Sequence, residues 1–408
     1  MMRSVRRLCA ALLACLPLLA GAAQARTVPV HDTATLSRAI AAARAGDDIV
    51  LADGVYAIAG KLRAEARGTA DAPITVRAAH RWRAELRASG VIAFEVTGPH
   101  WTFRDLDIRG VCARDSDCEH AFHVVGAAYF SLLGNRLADF NAHLKVNADF
   151  THKKPLAGLV DGNEIFNTHP RRTANPVEPL NIDNADNWVV RRNFIYDFHK
   201  DGGNGVSYGV FVKGGSQAPL FERNLILCAR KDEVGGARVG MSFGGGGMGP
   251  ALCAPHWDAA TPCDPEVTGG VMRNNIIANC SDVGVYLNRA AGTQLLFNTI
   301  LRTRGVEFRF PSSTGVARGN LLANTIRGRD GGGFTDGGNL VSQLSTTVEA
   351  WYRDPDGGDL RLKATPAALL GAAPADPSVT RDFCGRPRTA PYDIAALQSS
   401  LGDCPTLP

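Results

Sequence analysis

The sequence predicts an all-β protein: a single-stranded right-handed parallel β-helix with a short N-terminal helical cap. Three observations carry this expectation. An asparagine-marked repeat runs through the chain, short strand-like runs are bounded by glycine, and no long amphipathic helix precedes the C-terminal region.

The repeat reads x-x-apolar-x-x-Asn-x-Ile/Leu. It appears as Gly134-Asn135-Arg136-Leu137, Gly162-Asn163-Glu164-Ile165, Arg192-Asn193-Phe194-Ile195 and Arg223-Asn224-Leu225-Ile226. It returns around Asn275, Asn298 and Asn320, with a weaker copy at Gly338-Asn339-Leu340-Val341, so successive asparagines lie 28, 30, 31, 51, 23, 22 and 19 residues apart. Trp101 to Ile108 matches the same apolar positions with Leu106 in place of the Asn. A coil of roughly 20–30 residues cannot bury its own inner face, but stacked on like coils it buries a continuous core. The Asn is expected at a tight turn, because it tolerates the left-handed conformation and hydrogen-bonds to nearby backbone. Runs such as Gly209-Val210-Phe211-Val212 and Gly284-Val285-Tyr286-Leu287 read as the strands.

Solenoid ends need caps. Leu36 to Ala43 is helical in pattern and apolar on one face, which suits the N-terminal cap. Residues 365–408, with Arg381-Asp382-Phe383-Cys384 and Tyr392-Asp393-Ile394, read as a closing segment. The long interval contains a Gly- and Cys-rich insertion over 235–270, expected to loop out over one face. One elongated domain over 26–408 follows.

Residues 1–25 have the pattern of a signal peptide. Arg3, Arg6 and Arg7 precede the apolar run Leu8 to Ala20, and Ala23-Gln24-Ala25 supplies a small-x-small cleavage pattern. The expected location is periplasmic or secreted, with no membrane span. Removing the leader leaves 41 Lys+Arg against 40 Asp+Glu, a near-neutral balance that argues against nucleic acid. Eight cysteines remain, and an even number in an exported chain reads as disulfides. The spacings suggest Cys112–Cys118, Cys253–Cys263 and Cys384–Cys404, leaving Cys228–Cys280. Structural zinc is the weaker alternative, because no CxxC pair is present.

Polar residues that interrupt apolar strands point to solvent. Lys213 and Arg309 each lie 11 residues before their repeat Asn; Asp183 and Asn288 lie 10 before, and Arg289 lies 9 before. Equal register becomes equal azimuth in a solenoid, so these residues are expected to form one polar stripe, extended by Lys145. A solvated face is the plain reading of each residue alone. Together, the cations call for a polyanion over them, since only Asp183 and Glu307 are obvious local partners.

The leader, the Ala52-Asp53-Gly54-Val55-Tyr56 opening, the Asn-marked coils and the closing segment resemble secreted β-helix polysaccharide lyases of the chondroitinase B and alginate lyase type (polysaccharide lyase family 6-like). The closest local match is Val210-Phe211-Val212-Lys213-Gly214-Gly215-Ser216 followed by Phe221-Glu222-Arg223-Asn224. The resemblance implies Lys213 as the catalytic base and Arg238, in Ala237-Arg238-Val239-Gly240, as the arginine of the next coil. It also implies calcium held by carboxylates a few positions before the lysine. Here that stretch is Gly205-Val206-Ser207-Tyr208-Gly209, without an acid. No metal ligand is therefore assigned, and Arg238, Arg289 or Arg309 would take over the cation's task.

The implied reaction is β-elimination on a uronic-acid-containing polysaccharide. A cation neutralises the carboxylate, a base removes the C5 proton, and an acid protonates the leaving oxygen. Tyr208, Tyr286, His143 and His199 are alternative proton carriers, and Lys145, Asp183, Arg289 and Arg309 are candidate substrate contacts. A C5-epimerase of the same fold and a non-catalytic carbohydrate-binding β-helix are the alternatives. A glycoside hydrolase wants paired carboxylates, and only Asp183 stands on the stripe. The expected partner is an acidic polysaccharide or oligosaccharide, met by a monomer.

Overall fold

The computed structural model describes residues 26–231, 235–355, 359–363 and 366–398. The leader, and the predicted partner Cys404, lie outside the described residues. Three long parallel sheets of twelve, ten and ten strands run the length of the molecule. One coil shows the path. Val189–Arg191 lies in sheet I, Phe194–Tyr196 in sheet II and Val206–Lys213 in sheet III, after which Leu220–Glu222 re-enters sheet I one coil on. Inward residues of like shape stack coil upon coil. Ile165, Ile195, Ile226, Ile277 and Ile300 form one column in sheet II, and Val146, Ile182, Val212, Phe243, Leu287 and Phe308 form one in sheet III. All are buried. This is the parallel β-helix that the repeat predicts.

The asparagines do stack at one corner, between sheets I and II, by a mechanism that differs in part from the one expected. Each ladder Asn offers its Oδ1 to the backbone N–H and the Nδ2 of the Asn one coil before. Asn193 N and Nδ2 donate to Asn224 Oδ1 at 3.1 and 3.0 Å, and Asn224 N and Nδ2 donate to Asn275 Oδ1 at 3.0 Å each. The chain of bonds runs from Asn135 to Asn339, and at its N-terminal end the N–H of Leu106 donates to Asn135 Oδ1 at 3.0 Å. The left-handed residue is the one before each Asn: Gly134, Gly162, Gly319 and Gly338, but also Arg192, Arg223, Asn274 and Phe297. The ladder Asn is selected for its amide, which satisfies backbone at the buried corner.

The N-terminal cap is the helix Thr33–Ala41. Asp32 accepts from Thr35 N at 2.7 Å, and the Thr35 hydroxyl accepts from Asp32 N in return. Leu36 and Ile40 are its buried face. The closing segment does more than end the solenoid. It lies along the flank of sheet II, where Leu369, Val379, Phe383, Ile394 and Ala396 cover the outward side chains of Leu225, Leu227, Ile276 and Leu301. Arg388 Nη2 ties it down, donating to Asn274 Oδ1 at 2.9 Å, while Nη1 donates within the segment to Gln398 Oε1 at 3.2 Å.

Three of the expected disulfides are present: Cys112–Cys118, Cys228–Cys280 and Cys253–Cys263. The insertion is shorter than predicted, because Ala237–Phe243 is a sheet III strand paired with Val206–Lys213. The excursion proper begins at Gly244 and rejoins the solenoid at Val267–Thr268. Among the described residues, no helix is long and apolar enough to cross a membrane.

Candidate functional site

The outer surface of sheet III carries the predicted polar stripe. Asp183 pairs with Lys213, and Asn288 pairs with Arg309 and, through it, Arg329. The register Val212–Phe243–Leu287 continues one residue further to set Gly244 in the same column, between Lys213 and Asn288. Lys145 belongs to a second outward column two residues upstream, with His123 before it and Asn181 after it. At about 4.8 Å per coil, Arg309 stands roughly 14 Å from Lys213 along the stripe.

Lys213 is the floor of an open cavity of about 500 Å³, shared with Lys145 and Asp183. The Asp183 carboxylate, 4% exposed, lies between the two ammonium groups: Lys145 Nζ donates to Oδ2, and Lys213 Nζ is 3.9 Å from Oδ1. Lys145 Nζ also donates to Asn181 Oδ1 at 2.9 Å, and Asn181 passes the connection on to Glu178. Lys213 lies 5.0 Å from the centroid of the Phe211 ring, which stacks on Tyr208. Two further carboxyls feel the Lys213 charge. Burial raises Glu178 above the ordinary carboxylate range against the opposing field of Lys213, with Asp183 adding to the rise. Burial likewise pushes Glu266 up to about 7, opposed by Lys213 and the Gly245 N–H.

The excursion folds back over this corner, and glycines admit it. A Cβ on Gly246 would meet the Phe211 ring at 2.3 Å and Lys213 Cδ at 2.6 Å, and one on Gly215 would meet Ala254 O at 1.8 Å. Ala254 N donates to Gly214 O at 3.0 Å, Gly215 N to Glu266 O at 2.8 Å, and Asn184 Nδ2 to Leu252 O at 2.7 Å. The glycines beside Lys213 therefore receive the protein's own chain, and the cavity opens on the Lys145–Asp183 side. There the rim is aromatic, with His152 and Trp257 stacked at 4.5 Å.

No family model matches the chain, and no curated protein matches it. Solved structures do. Pectate lyase Pel9A aligns over 89% of this chain and 90% of its own, with a TM-score of 0.58 and 16% identity. An alginate lyase from Paenibacillus sp. str. FPU-7 aligns over 77% of this chain and 99% of its own at 17% identity, with a TM-score of 0.42. The polysaccharide lyase Pedsa3628 of Pseudopedobacter saltans aligns over 83% and 97% at 13% identity, with a TM-score of 0.39. The likeness is one of fold. The chain shares the parallel β-helix fold of Pel9A.

The remaining predicted residues fall in different places. Arg238 pairs with Ser207, six residues before the position beside Lys213, or roughly 20 Å along the strand. It is buried, its N–H donating to Ser281 Oγ at 2.9 Å and Nη1 to Gly235 O at 3.4 Å. The expectation that Arg238 and Lys213 share one groove is therefore corrected, since sequence distance from the lysine says nothing of register within a long strand. Arg289 and Arg309 both pack on the Phe310 ring, at 4.3 and 4.6 Å from its centroid. Arg309 pairs with Asp330 and donates to the Tyr286 hydroxyl, and Arg289 lies 3.6 Å from Asp264. Arg327 and Arg329 both pair with Glu307. The stripe is thus largely neutralised by the protein's own carboxylates, and its cations do not by themselves require a polyanion.

His143 is fully buried, with Nε2 3.0 Å from Phe166 O, and burial pushes it down to about 3. His199 is buried at the opposite edge of sheet III, before Val206–Lys213, against Gly236. Tyr208 is held against Phe211, with its phenol raised by burial and by Glu178. Glu178, Glu266, His152 and Trp257 were not anticipated. They lie on loops, where the alternation test that found Lys213 has no purchase.

The calcium that the resemblance implies does not fit these donors. Among the described residues, no group of three or more His, Cys, Asp or Glu side chains could hold a metal. Asp183 Oδ2 accepts from Lys145, and Asp149 Oδ1, also on the cavity wall, accepts from Thr151 N at 2.8 Å and Lys153 N at 3.0 Å. Calcium asks for six to eight oxygens.

Proposed function

We propose that the protein is an exported polysaccharide lyase that cleaves a uronic-acid-containing polymer by β-elimination, with Lys213 as the base. The observation that carries this reading is a lysine at the floor of an open cavity on the lateral face of a parallel β-helix, with a second lysine against the same carboxylate. Three disulfides in the solenoid and its insertion support an oxidising, extracytoplasmic setting.

The chemistry assigns separate tasks to these groups. The C5 proton of a uronate becomes removable when the adjacent carboxylate is neutralised. Lys145, which lies against the same Asp183 carboxylate as Lys213, is the group for that task, with Arg289 and Arg309 further along the face meeting other carboxylates of the polymer. Lys213, as the neutral amine left once its own proton has gone to solvent, takes the C5 proton and becomes the ammonium. The C5–H electron pair becomes the C4=C5 double bond, the C4–O bond breaks, and the departing oxygen takes a proton from water or from a site acid. Asp183 is a positioning residue: it accepts from the Lys145 ammonium and lies 3.9 Å from the Lys213 nitrogen.

The test is formation of unsaturated uronate by ultraviolet absorbance across pectate, alginate, chondroitin and hyaluronan. Lys213→Ala should abolish product while retaining polymer binding, and full activity in that variant would refute the assignment. A C5-epimerase needs the same proton removed and returned. Deuterium uptake from solvent without an unsaturated product would move the protein to that activity.

A further inference from the structure

We infer that the disulfide-tied excursion and the loop following Asn147 together build an aromatic sugar-binding subsite on the rim of the Lys213 cavity. This rests on the saccharide-binding part of the proposed function and identifies residues that would recognise the polymer next to the reacting unit.

Two loops 105 residues apart meet there. His152 and Trp257 lie face to face, with ring centroids 4.5 Å apart and planes 4° from parallel. Both residues have positive φ, at 65° and 54°. Bulky side chains adopt that conformation only where the surroundings over-determine it. The surroundings do so. Trp257 N donates to Cys253 O at 2.9 Å, Cys253 is bonded to Cys263, and Asn184, adjacent to Asp183, donates to Leu252 O. The indole is thereby fixed relative to the cavity floor. On the other loop, Asp149 accepts from Thr151 and Lys153 backbone, so the turn carrying Phe150 is well tied, yet the Phe150 side chain is 95% exposed.

A phenyl ring held in water by a hydrogen-bonded loop, lining the same cavity as a half-buried indole and two lysines, suits a specific occupant. A pyranose ring has one face of C–H bonds that packs on aromatic rings and a polar edge of hydroxyls and carboxylate. A uronate with its apolar face on Phe150 and Trp257 would direct its carboxylate towards Lys145 or Lys213. Such a wall acts on polymer positioning, so its loss should appear in KM and binding more than in kcat.

The experiment compares oligouronides of increasing length by calorimetric titration and by initial rates, using wild type, Phe150→Ala, Trp257→Ala and, for uncleaved binding, Lys213→Ala. Phe150→Ala removes a side chain with almost no contact to the fold, so it tests the site without a folding penalty. A roughly tenfold loss of affinity in Phe150→Ala or Trp257→Ala, with kcat nearly preserved, is expected. Unchanged affinity and KM in both variants would overturn the subsite while leaving the lyase reading intact. If wild type binds but yields no unsaturated product, and Phe150→Ala weakens binding, the subsite stands and the lyase assignment falls. Absence of saccharide binding by wild type overturns both.

Discussion

Replacing Asn224 by alanine should remove about 4–6 kcal/mol of stability, and the structure sets the terms. The Asn224 amide takes part in four buried hydrogen bonds. It donates to Val190 O at 2.9 Å and Asn275 Oδ1 at 3.0 Å, and it accepts from Asn193 N and Nδ2 at 3.1 and 3.0 Å. Alanine leaves the Asn193 backbone N–H with no acceptor at a corner closed to water, a penalty of about 1–3 kcal/mol, and forfeits about 1 kcal/mol for each remaining bond. For the 365 described residues, unfolding entropy near 60 °C converts a loss of about 4–6 kcal/mol to a Tm shift of about 5–8 °C. Differential scanning calorimetry reads the shift, with Asn324→Ala, an exposed Asn outside the ladder, as the control. If the two variants have the same Tm, the ladder contributes no more than surface asparagines do, and the account of the corner is wrong.

Glu266→Gln should flatten part of the pH dependence of stability. The folded carboxyl titrates near 7, above its unfolded value, so the native state binds the extra proton. Its contribution is therefore lost as pH rises from about 4.5 to 7, on the order of 3 kcal/mol. Urea midpoints across that window should fall more for wild type than for the variant, and parallel curves would contradict the burial argument. His143 has the opposite sign: a folded value near 3 means stability is lost as pH drops below its unfolded value near 6.5. His143→Asn should accordingly shift acid unfolding, followed by circular dichroism, to lower pH, and an unchanged acid limb would count against it. Arg238→Ala is expected to lower Tm and leave kcat within about twofold, given a separation of roughly 20 Å from Lys213. A collapse of kcat without loss of stability would restore Arg238 to the site.

The solenoid was legible because a parallel β-helix repeats its physics. Each coil presents Ile or Leu to the same core column and Asn to the same corner, so periodic spacing alone reveals both. The left-handed residue was harder to find, since Arg192, Arg223 and Phe297 occupy it as well as glycine, and only the amide beside it is invariant along the repeat. The column Asp183–Lys213 and Asn288–Arg309 was also readable, because polar residues inside apolar strands point outward. The walls of the cavity were not. The backbone of the excursion closes over Gly214 and Gly215, and Glu178 and Glu266 arrive from Pro-flanked loops whose sequence carries no period. Arg238 was misplaced for a related reason: seven- and eight-residue strands offer several outward positions, and pairing decides which of them meet.

The most direct test of Lys213 as the base is the appearance of unsaturated uronate from a pectate or alginate panel, comparing wild type with Lys213→Ala at equal folded concentration. The account predicts rising ultraviolet absorbance with wild type on at least one polymer and none with the variant, while both retain the polymer in a co-sedimentation assay. Equal product from the two proteins would contradict it.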